Sequence, residues 1–444
     1  MSIQILINNN PNPESNYITW TPIACRIVSD ENVQKVIVLS NKHKDRGGQI
    51  VFSATQPANM ADTLQLTIPP GGSANFFIAG KTEFINGNLV TYPSENDKDA
   101  IILITDAVNN TSLGEKPLMV RVRKNANQLT ANERNRFLDA IVRLNQSGAY
   151  FEFQNMHLDD NTREIHFRSC FLPWHRAFLL DIERKLQATA PENRGVTVPY
   201  WKFDEPAPNV FIRAFMGVPL PGNGAVDFTN TNPLINWRVQ IAGIGSNLRI
   251  RRSYHNNSSA ANPANNRAIG VQNNERQTLN LGNIFAIFAR QPVNQFDAGG
   301  IEGDPHGSAH GSFNGEISEI GKAPADPLFF LLHCNVDRLW AKWQYVNNLF
   351  RPNDTNAYPR QGNGNPASNR ESGIGNFTND TMWSWNRISR TQNPNRPVPG
   401  TEMPDSPLTN LPGRRPTVGS MIDYQGQFSL ANNLHFAYDN VPFF

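Results

Sequence analysis

The sequence predicts two domains: an all-β sandwich over residues 1–118, and a second domain over residues 119–444 that begins with a helix. The length of 444 residues exceeds what one ordinary hydrophobic core covers. Short apolar runs separated by turn-forming clusters fill the chain as far as about residue 118. Helical spacing of apolar residues begins after residue 125, which indicates a new domain.

Seven or eight β-strands are predicted in the first domain. The apolar runs include IQILI, KVIVLS, DTLQLTI and AIILIT, and turn clusters such as residues 8–11 (NNNP) and 69–72 (PPGG) separate them. This pattern favours an antiparallel sandwich of immunoglobulin-like type. We find no cluster of catalytic residue types in this part of the sequence, so we expect a packing partner for the second domain. A docking surface and a lid over the second domain are the alternatives.

Composition excludes several classes of partner. The formal net charge is +2, with 18% charged and 39% apolar residues, which argues against nucleic acid as a partner. No apolar stretch approaches membrane-spanning length, so we expect no membrane partner. The N-terminus, MSIQILINNNPNPESN, lacks the features of a signal peptide, and we expect a cytoplasmic protein, with export by another route left open. The cysteines Cys25, Cys170 and Cys334 are predicted to be free buried thiols.

The second domain is predicted to open with a helix that has a capping box. Thr130 is placed to cap the helix and Glu133 follows three residues later. Apolar residues then recur at helical spacing at Phe137, Leu138, Ile141 and Leu144.

Three histidines follow at two equal steps of nine, at positions 157, 166 and 175. Nine residues correspond to about 900° around an ideal helix, so one straight helix cannot present His166 and His175 to the same point. Pro173 provides the required break, because proline is favoured in the first turn of a helix. We expect a helix from Pro173 through Leu186, with His157 and His166 on the preceding helix end and loop. Phe178, Leu179, Ile182 and Leu186 should face the core.

A second set of three histidines lies downstream. His306 and His310 are four residues apart, which is a recurrent metal-binding spacing, and Gly307 stands where a zinc protease would carry its glutamate. Asp326 and Pro327 predict the start of a strong helix that contains His333. Asp337 follows one turn after His333, and we expect its carboxylate to accept a ring N–H from that histidine.

These two triads use six of the nine histidines in the chain. Two sets of three imidazoles without a carboxylate or thiolate ligand favour copper over calcium, magnesium and most two-metal hydrolase sites. Two adjacent copper ions suit dioxygen chemistry.

Four sequence blocks resemble those of a known family. FLPWHRAFLL around His175, VPYWKFD at 198–204, GGIEGDPHGSAH and DPLFFLLHCNVDRLW resemble the signature blocks of the tyrosinase, catechol oxidase and hemocyanin family of type 3 dinuclear copper proteins. The resemblance covers the chain from about residue 119 to its end. It implies a mostly α-helical domain with two copper ions, one held by His157, His166 and His175 and the other by His306, His310 and His333.

The resemblance also implies an activity. Members of the family use O₂ as co-substrate to oxidise o-diphenols to o-quinones, and tyrosinases also hydroxylate monophenols at the ortho carbon. A small phenolic substrate is therefore expected. Glu302 matches a glutamate that orients a water for deprotonation of incoming phenols. LHFAY at 434–438 resembles the closing tyrosine motif of the family, which packs against an arginine, here Arg121 or Arg123.

Several positions depart from the family pattern. Gly307 stands where phenol-hydroxylating relatives often carry an asparagine that holds the same water. Gly311 removes a side chain from the expected substrate entrance, so we expect an open and poorly selective entrance. Ile320 matches the gate position over the first copper, where a phenylalanine would restrict access and isoleucine is intermediate in size. Glu164 replaces the cysteine that plant and fungal members join to a ligand histidine, and we expect no such crosslink. Oxidation of o-aminophenols or aromatic amines, and oxygen binding of hemocyanin type, remain as alternatives, and the oligomeric state is left open.

Overall fold

The structure is a computed structural model that describes residues 3–8, 16–55, 59–158, 165–166, 170–222, 224–241, 245–255, 262–271, 301–354, 358, 378–386, 402–406 and 410–443. The chain divides into two compact units. Unit 1 comprises Met1–Arg123, Ser406–Leu411 and Tyr424–Phe444, and unit 2 comprises Lys124–Asp405 and Pro412–Asp423. Unit 1 thus includes residues 424–444, which the prediction placed in the second domain.

Unit 1 is built of two sheets and a hairpin. One sheet has the order β1-β3-β7-β5, the other has the order β2-β11-β10-β4-β6, and β8 pairs with β9. The strands are β1 Ile3–Ile7, β2 Tyr17–Ile18, β3 Ile23–Ser29, β4 Lys35–Asn41, β5 Ile50–Ser53, β6 Thr63–Ile68, β7 Ser73–Gly80, β8 Thr82–Ile85, β9 Asn88–Thr91, β10 Ala100–Asp106 and β11 Ser112–Val120.

Alternating side chains from both sheets form one apolar core. Ile27 of β3 and Ile78 of β7 meet Ile37 of β4 and Ile102 of β10 in it, and all four are fully buried. This period of two is what a half-buried strand requires, and it confirms the predicted β-rich N-terminal region. The immunoglobulin-like type stays a prediction. The expected antiparallel pairing has one exception, since β2 runs parallel to β11.

The closing tyrosine lies in unit 1 against Arg123. The Arg123 guanidinium donates to the Tyr438 hydroxyl at 2.9 Å and lies 4.0 Å from the centre of the Phe436 ring. Arg121, the other candidate, lies over the Tyr17 ring instead. The predicted contact is therefore confirmed for Arg123.

In the described part of unit 2 there are five α-helices. They are α1 Ala131–Gln146, α2 Tyr150–Met156, α3 Phe171–Ala188, α4 Ser308–His310 and α5 Leu328–Asn347. A π-helical turn, Glu302–Gly307, precedes α4. Two short antiparallel two-stranded sheets are formed by β12 Val239–Ile241 with β13 Gly245–Leu248, and by β14 Arg252–Tyr254 with β15 Phe313–Gly315. Within the described part of the chain we find no helix that is long and apolar enough to cross a membrane.

The predicted helix starts are confirmed with small shifts. Thr130 and Glu133 form both hydrogen bonds of a capping box at the start of α1. Helix α3 begins at Phe171, two residues before the predicted start, so Pro173 lies in its first turn. Helix α5 begins at Leu328, and Asp326 Oδ1 accepts the Leu328 backbone N–H at 2.9 Å.

Helices α3 and α5 pack against each other at the centre of unit 2. Fifteen of the 18 residues of α3 and 16 of the 20 residues of α5 are buried. The predicted core residues Phe178, Leu179 and Ile182 are among them. Polar side chains on such helices must be matched inside the protein, because water does not reach them.

Candidate metal centre

Five of the six histidines are delivered by the end or the interior of a helical element. His157 directly follows α2, His175 is in the second turn of α3, and His333 is in α5. His306 lies in the π-helical turn and His310 ends α4. His166 is in the short described stretch of residues 165–166. Five of these side chains are buried, and His310 is half-buried.

The imidazoles form two compact groups that share His333. The first group is His157, His175 and His333, the second is His306, His310 and His333, and the candidate ligand atoms in each lie within 4.8 Å of one another. His166 adjoins the first group, with its ring centre 4.8 Å from that of His157 and 5.3 Å from that of His175. The structure thus brings all six predicted positions together.

The bridge between the two groups is a ring stack. The imidazoles of His175 and His333 have centres 4.2 Å apart and planes inclined by 11°. Because these residues belong to α3 and α5, the packing of the two central helices sets the separation of the two triads.

Backbone carbonyls fix the tautomer of three rings. His175 Nδ1 lies 2.8 Å from the Phe171 carbonyl, and His306 Nδ1 lies 2.8 Å from the Glu302 carbonyl. His310 Nδ1 lies 2.5 Å from the Ile317 carbonyl. A carbonyl oxygen can only accept, so each Nδ1 carries the proton. Each Nε2 is left with a lone pair, which is the form that binds a metal.

These lone pairs converge on one point in the second group. Nε2 of His306 lies 3.3 Å from Nε2 of His333, and Nε2 of His310 lies 3.4 Å from the same atom. His333 carries one proton as a neutral imidazole, so it can donate to only one of the other two rings. At least one pair of acceptors therefore faces each other, which is unfavourable unless a cation binds between them. The donor set fits a metal of borderline character, and copper is such a metal.

Burial keeps the rings neutral. It is the largest cause that lowers the pKa of all six histidines, to about 3 for His157 and to about 4 for His310. The His310 imidazole lowers the pKa of His157 further, while a hydrogen bond with the Ile320 backbone raises it. Because metal ligands must be deprotonated, no proton has to leave these rings at neutral pH before a metal binds.

The predicted hydrogen bond between Asp337 and His333 is wrong. Asp337 Oδ1 accepts instead from Arg176 Nε at 2.6 Å, and His333 Nδ1 has no hydrogen-bond partner among the described residues. The spacing of four residues does place both side chains along α5. However, Arg176 on α3 carries a full positive charge and is buried beside Asp337, so it takes the carboxylate.

The predicted entrance residues lie on the surface of unit 2. Gly307 and Gly311 are exposed on either side of half-buried His310, and Ile320 is 48% exposed. A Cβ added at Gly307 would have its nearest neighbour at 3.6 Å, so there is room for a side chain there. Glu302 is half-buried one turn before His306. Glu164 lies outside the described residues.

Two aromatic residues against the imidazoles escaped prediction. The Phe329 ring is centred 4.1 Å from the His333 ring, and the Phe171 ring is centred 4.6 Å from the His175 ring. Each phenylalanine precedes its histidine by four residues, so the helical spacing was visible in the sequence. The three cysteines are free and buried, as predicted.

Comparisons with known proteins agree with this centre. Residues 147–346, which include all six histidines, match the family described as the common central domain of tyrosinase. A tyrosinase of Streptomyces glaucescens is 32% identical in an alignment of length 245 that covers 50% of this chain and 82% of that protein. The grixazone synthase of Streptomyces griseus is 30% identical in an alignment of length 272 that covers 51% of this chain and 85% of that protein.

A solved structure of latent and active mushroom tyrosinase covers 72% of this chain and 89% of its own, at a TM-score of 0.37 and 17% identity. The family assignment stands on the sequence matches, and it agrees with two groups of imidazoles of metal-binding tautomer. The chain belongs to the tyrosinase family, whose members are oxidoreductases that use a dinuclear copper centre and O₂.

Proposed function

We propose that this chain oxidises o-diphenols to o-quinones with O₂. In this proposal His157, His166 and His175 hold one copper ion and His306, His310 and His333 hold the other. Two diphenols each lose two electrons and two protons, and one O₂ takes up the four electrons and four protons to give two waters. The observation that carries the proposal is the convergence of Nε2 lone pairs in the second group, which a cation would relieve.

A bound copper pair supplies the activation of dioxygen, and this chain's residues prepare its surroundings. The carbonyls of Phe171, Glu302 and Ile317 hold three rings in the tautomer that directs Nε2 inward. The rings of Phe171 and Phe329 cover the imidazoles and exclude water from the centre.

The half-buried ring of His310 is the part of the centre that a substrate can approach. Exposed Gly307 and Gly311 flank it in sequence without side chains, and the third predicted entrance residue, Ile320, is also exposed. A flat phenol ring can therefore reach the second copper position. Selectivity against substituted catechols should be weak, because a glycine offers no side chain to clash with them.

Whether this chain also hydroxylates monophenols depends on how a monophenol would lose its proton. A monophenol must lose its hydroxyl proton before it can act as a ligand, and Glu302 is the half-buried carboxylate nearest in sequence to His306. Gly307 supplies no amide to hold a water for Glu302. This favours diphenol oxidation as the main activity, with monophenol hydroxylation weaker.

The test is oxygen uptake by the copper-loaded protein with a catechol, a monophenol and an o-aminophenol in parallel. We expect catechol to be turned over fastest. The variant His333→Gln should lose the second copper and the activity, because this ring is one of the three proposed ligands of that ion, whereas the matched control His255→Gln should keep two copper ions. Uptake faster with the o-aminophenol would assign that substrate class instead. Reversible oxygen binding without turnover of any of the three would assign an oxygen carrier.

A further inference from the structure

We infer that Arg251 and Arg252 are positioning residues for the second copper, because they hold both ends of the segment that orients His310 and leads into α5. The segment comprises residues 316–326 and is called the entrance segment here, since it contains Ile320. This inference rests on the ligand sets proposed above and goes beyond them, because it concerns two residues that touch no ligand atom.

Arg251 holds the first residue of the entrance segment. Its Nη2 and Nε donate to Glu316 Oε1 at 2.7 and 3.0 Å. The Glu316 side chain is only 7% exposed, whereas that of Arg251 is 49% exposed. The contact is set by the pairing of β14 with β15, in which Arg252 lies opposite Gly315. A Cβ at Gly315 would come within 2.1 Å of the Arg251 carbonyl oxygen, so only glycine allows this approach.

Arg252 holds the last residue of the same segment. Its Nε and Nη2 donate to the two carboxylate oxygens of Asp326 at 2.7 and 2.9 Å, and both side chains are fully buried. The same carboxylate accepts the backbone N–H of Leu328, so it also fixes the first turn of the helix that carries His333. A bidentate pair of this kind fixes orientation as well as distance.

Between these two ends lies the carbonyl that orients His310. The carbonyls that accept from His175 and His306 come from residues four positions earlier, within the same helical element. The carbonyl that accepts from His310 is that of Ile317, seven positions later and in the entrance segment. Among these three anchored rings, His310 therefore depends on a separate part of the chain for its tautomer and its direction.

The larger effect should fall on the second copper. Displacing the Glu316 end moves the Ile317 carbonyl, and His310 Nδ1 loses its acceptor. In the first triad the backbone of Ile320 hydrogen-bonds to His157, but His175 is held by the Phe171 carbonyl within its own helix, so the first copper should be weakened less. Loss of an outer partner of a ligand histidine typically weakens metal affinity by 10–100-fold.

Arg251 is the residue to change, because it is half exposed while Arg252 is buried in a bidentate pair and its loss would risk unfolding. Arg251→Met keeps an apolar chain of similar length and removes the charge. Arg251→Lys keeps the charge and one donor. Arg213→Met is the matched control, since Arg213 donates to Asp227 at 2.6 Å in the same unit and contacts none of the six histidines.

The measurement is a copper titration of the metal-free protein with a competing chelator, compared with His310→Ala to identify the second equivalent. In Arg251→Met we expect the second copper to bind about 10-fold more weakly, and the first to lose much less affinity than the second. Arg251→Lys should recover part of the loss, and Arg213→Met should match the wild type.

The possible failures are distinguishable. If the wild type fails to bind two copper ions, the proposed ligand sets are wrong. If the wild type binds two and Arg251→Met binds both as tightly, the inference is overturned while the proposed function stands. Equal weakening of both copper ions would also overturn it, because that result indicates a general structural role.

Discussion

Removing the carboxylate of Asp337 is expected to destabilise the metal-free protein strongly. Asp337 pairs with Arg176 across α3 and α5 at 2.6 Å, with side chains 1% and 0% exposed. Arg176 also donates to Gln344 Oε1 at 3.0 Å and to the Met421 carbonyl at 2.7 Å, and its guanidinium lies 3.6 Å from the centre of the Trp340 ring. These contacts join the two helices that carry the stacked rings of the metal centre.

The size of the effect follows from burial. Removing one partner of a buried ion pair costs about 3–5 kcal/mol, because the remaining charge has no counter-charge in a medium of low dielectric constant. Arginine cannot lose its proton to escape this cost. The exposed ion pair of Arg143 and Asp139 on α1 provides a control, since its side chains are 50% and 42% exposed. An exposed helical pair of this kind contributes only about 0.3–0.5 kcal/mol to the free energy of unfolding.

Urea unfolding followed by tryptophan fluorescence can measure the difference. Unit 2 contains seven of the eight tryptophans, so the signal reports mainly on this unit. We expect Asp337→Asn to lower the unfolding free energy about tenfold more than the control Asp139→Asn. The double variant Arg176→Met/Asp337→Asn should lose less than the sum of the two single variants, because neither charge then remains buried alone.

Two results would refute this reasoning. One is a midpoint for Asp337→Asn that lies as close to the wild type as that of Asp139→Asn. The other is additivity of the two single variants, since residues that do not interact show no coupling energy. Either result would mean that the packing of α3 on α5, rather than the ion pair, holds the helices together.

Two further predictions concern the centre itself. Glu302→Gln removes the carboxylate, so it should lower the rate of monophenol hydroxylation by about 10-fold or more. It keeps the backbone carbonyl that orients His306, so catechol oxidation should be nearly unchanged. Equal loss of both rates would argue against a role of Glu302 as a base. The metal-free protein should lose stability as the pH falls from 7.5 to 5.5. Histidines of the unfolded chain take up protons near pH 6.5, whereas burial lowers the pKa of His157 to about 3 and that of His310 to about 4 in the folded chain. Equal urea midpoints at the two pH values would contradict this expectation.

Local signals predicted much of this fold because the energies that set them are local. The side chains of Thr130 and Glu133 each accept the other residue's backbone N–H within one turn. The start of α1 could therefore be placed from the short stretch 130–133 alone. Pro173 could be placed in the first turn of α3 because its ring fixes a helical φ and removes a donor that would have no partner there. The spacing of the histidines and the proline together located the first triad.

Features that depend on contacts distant in sequence could not be predicted. Asp337 was assigned to His333 because only α5 was considered, whereas the stronger partner, Arg176, lies 161 residues earlier on α3. The Ile317 carbonyl that orients His310 has no sequence signal at all, since every residue has a carbonyl. The hairpin of β8 and β9, in contrast, has a local sequence signal that the prediction did not use. Asn86 and Gly87 form its turn with positive φ angles, and an Asn-Gly pair is typical of such turns.

The electrostatics of the centre connect the stability of the fold with its chemistry. Burial holds the six imidazoles neutral, and backbone carbonyls direct the lone pairs of His306 and His310 toward His333. These features weaken the metal-free fold, because the unfolded chain would hydrate or protonate the same rings. A cation bound between them removes that penalty only in the folded state, so it stabilises the native protein by mass action. The contacts that make unit 2 less stable without metal are therefore the ones that make it bind copper.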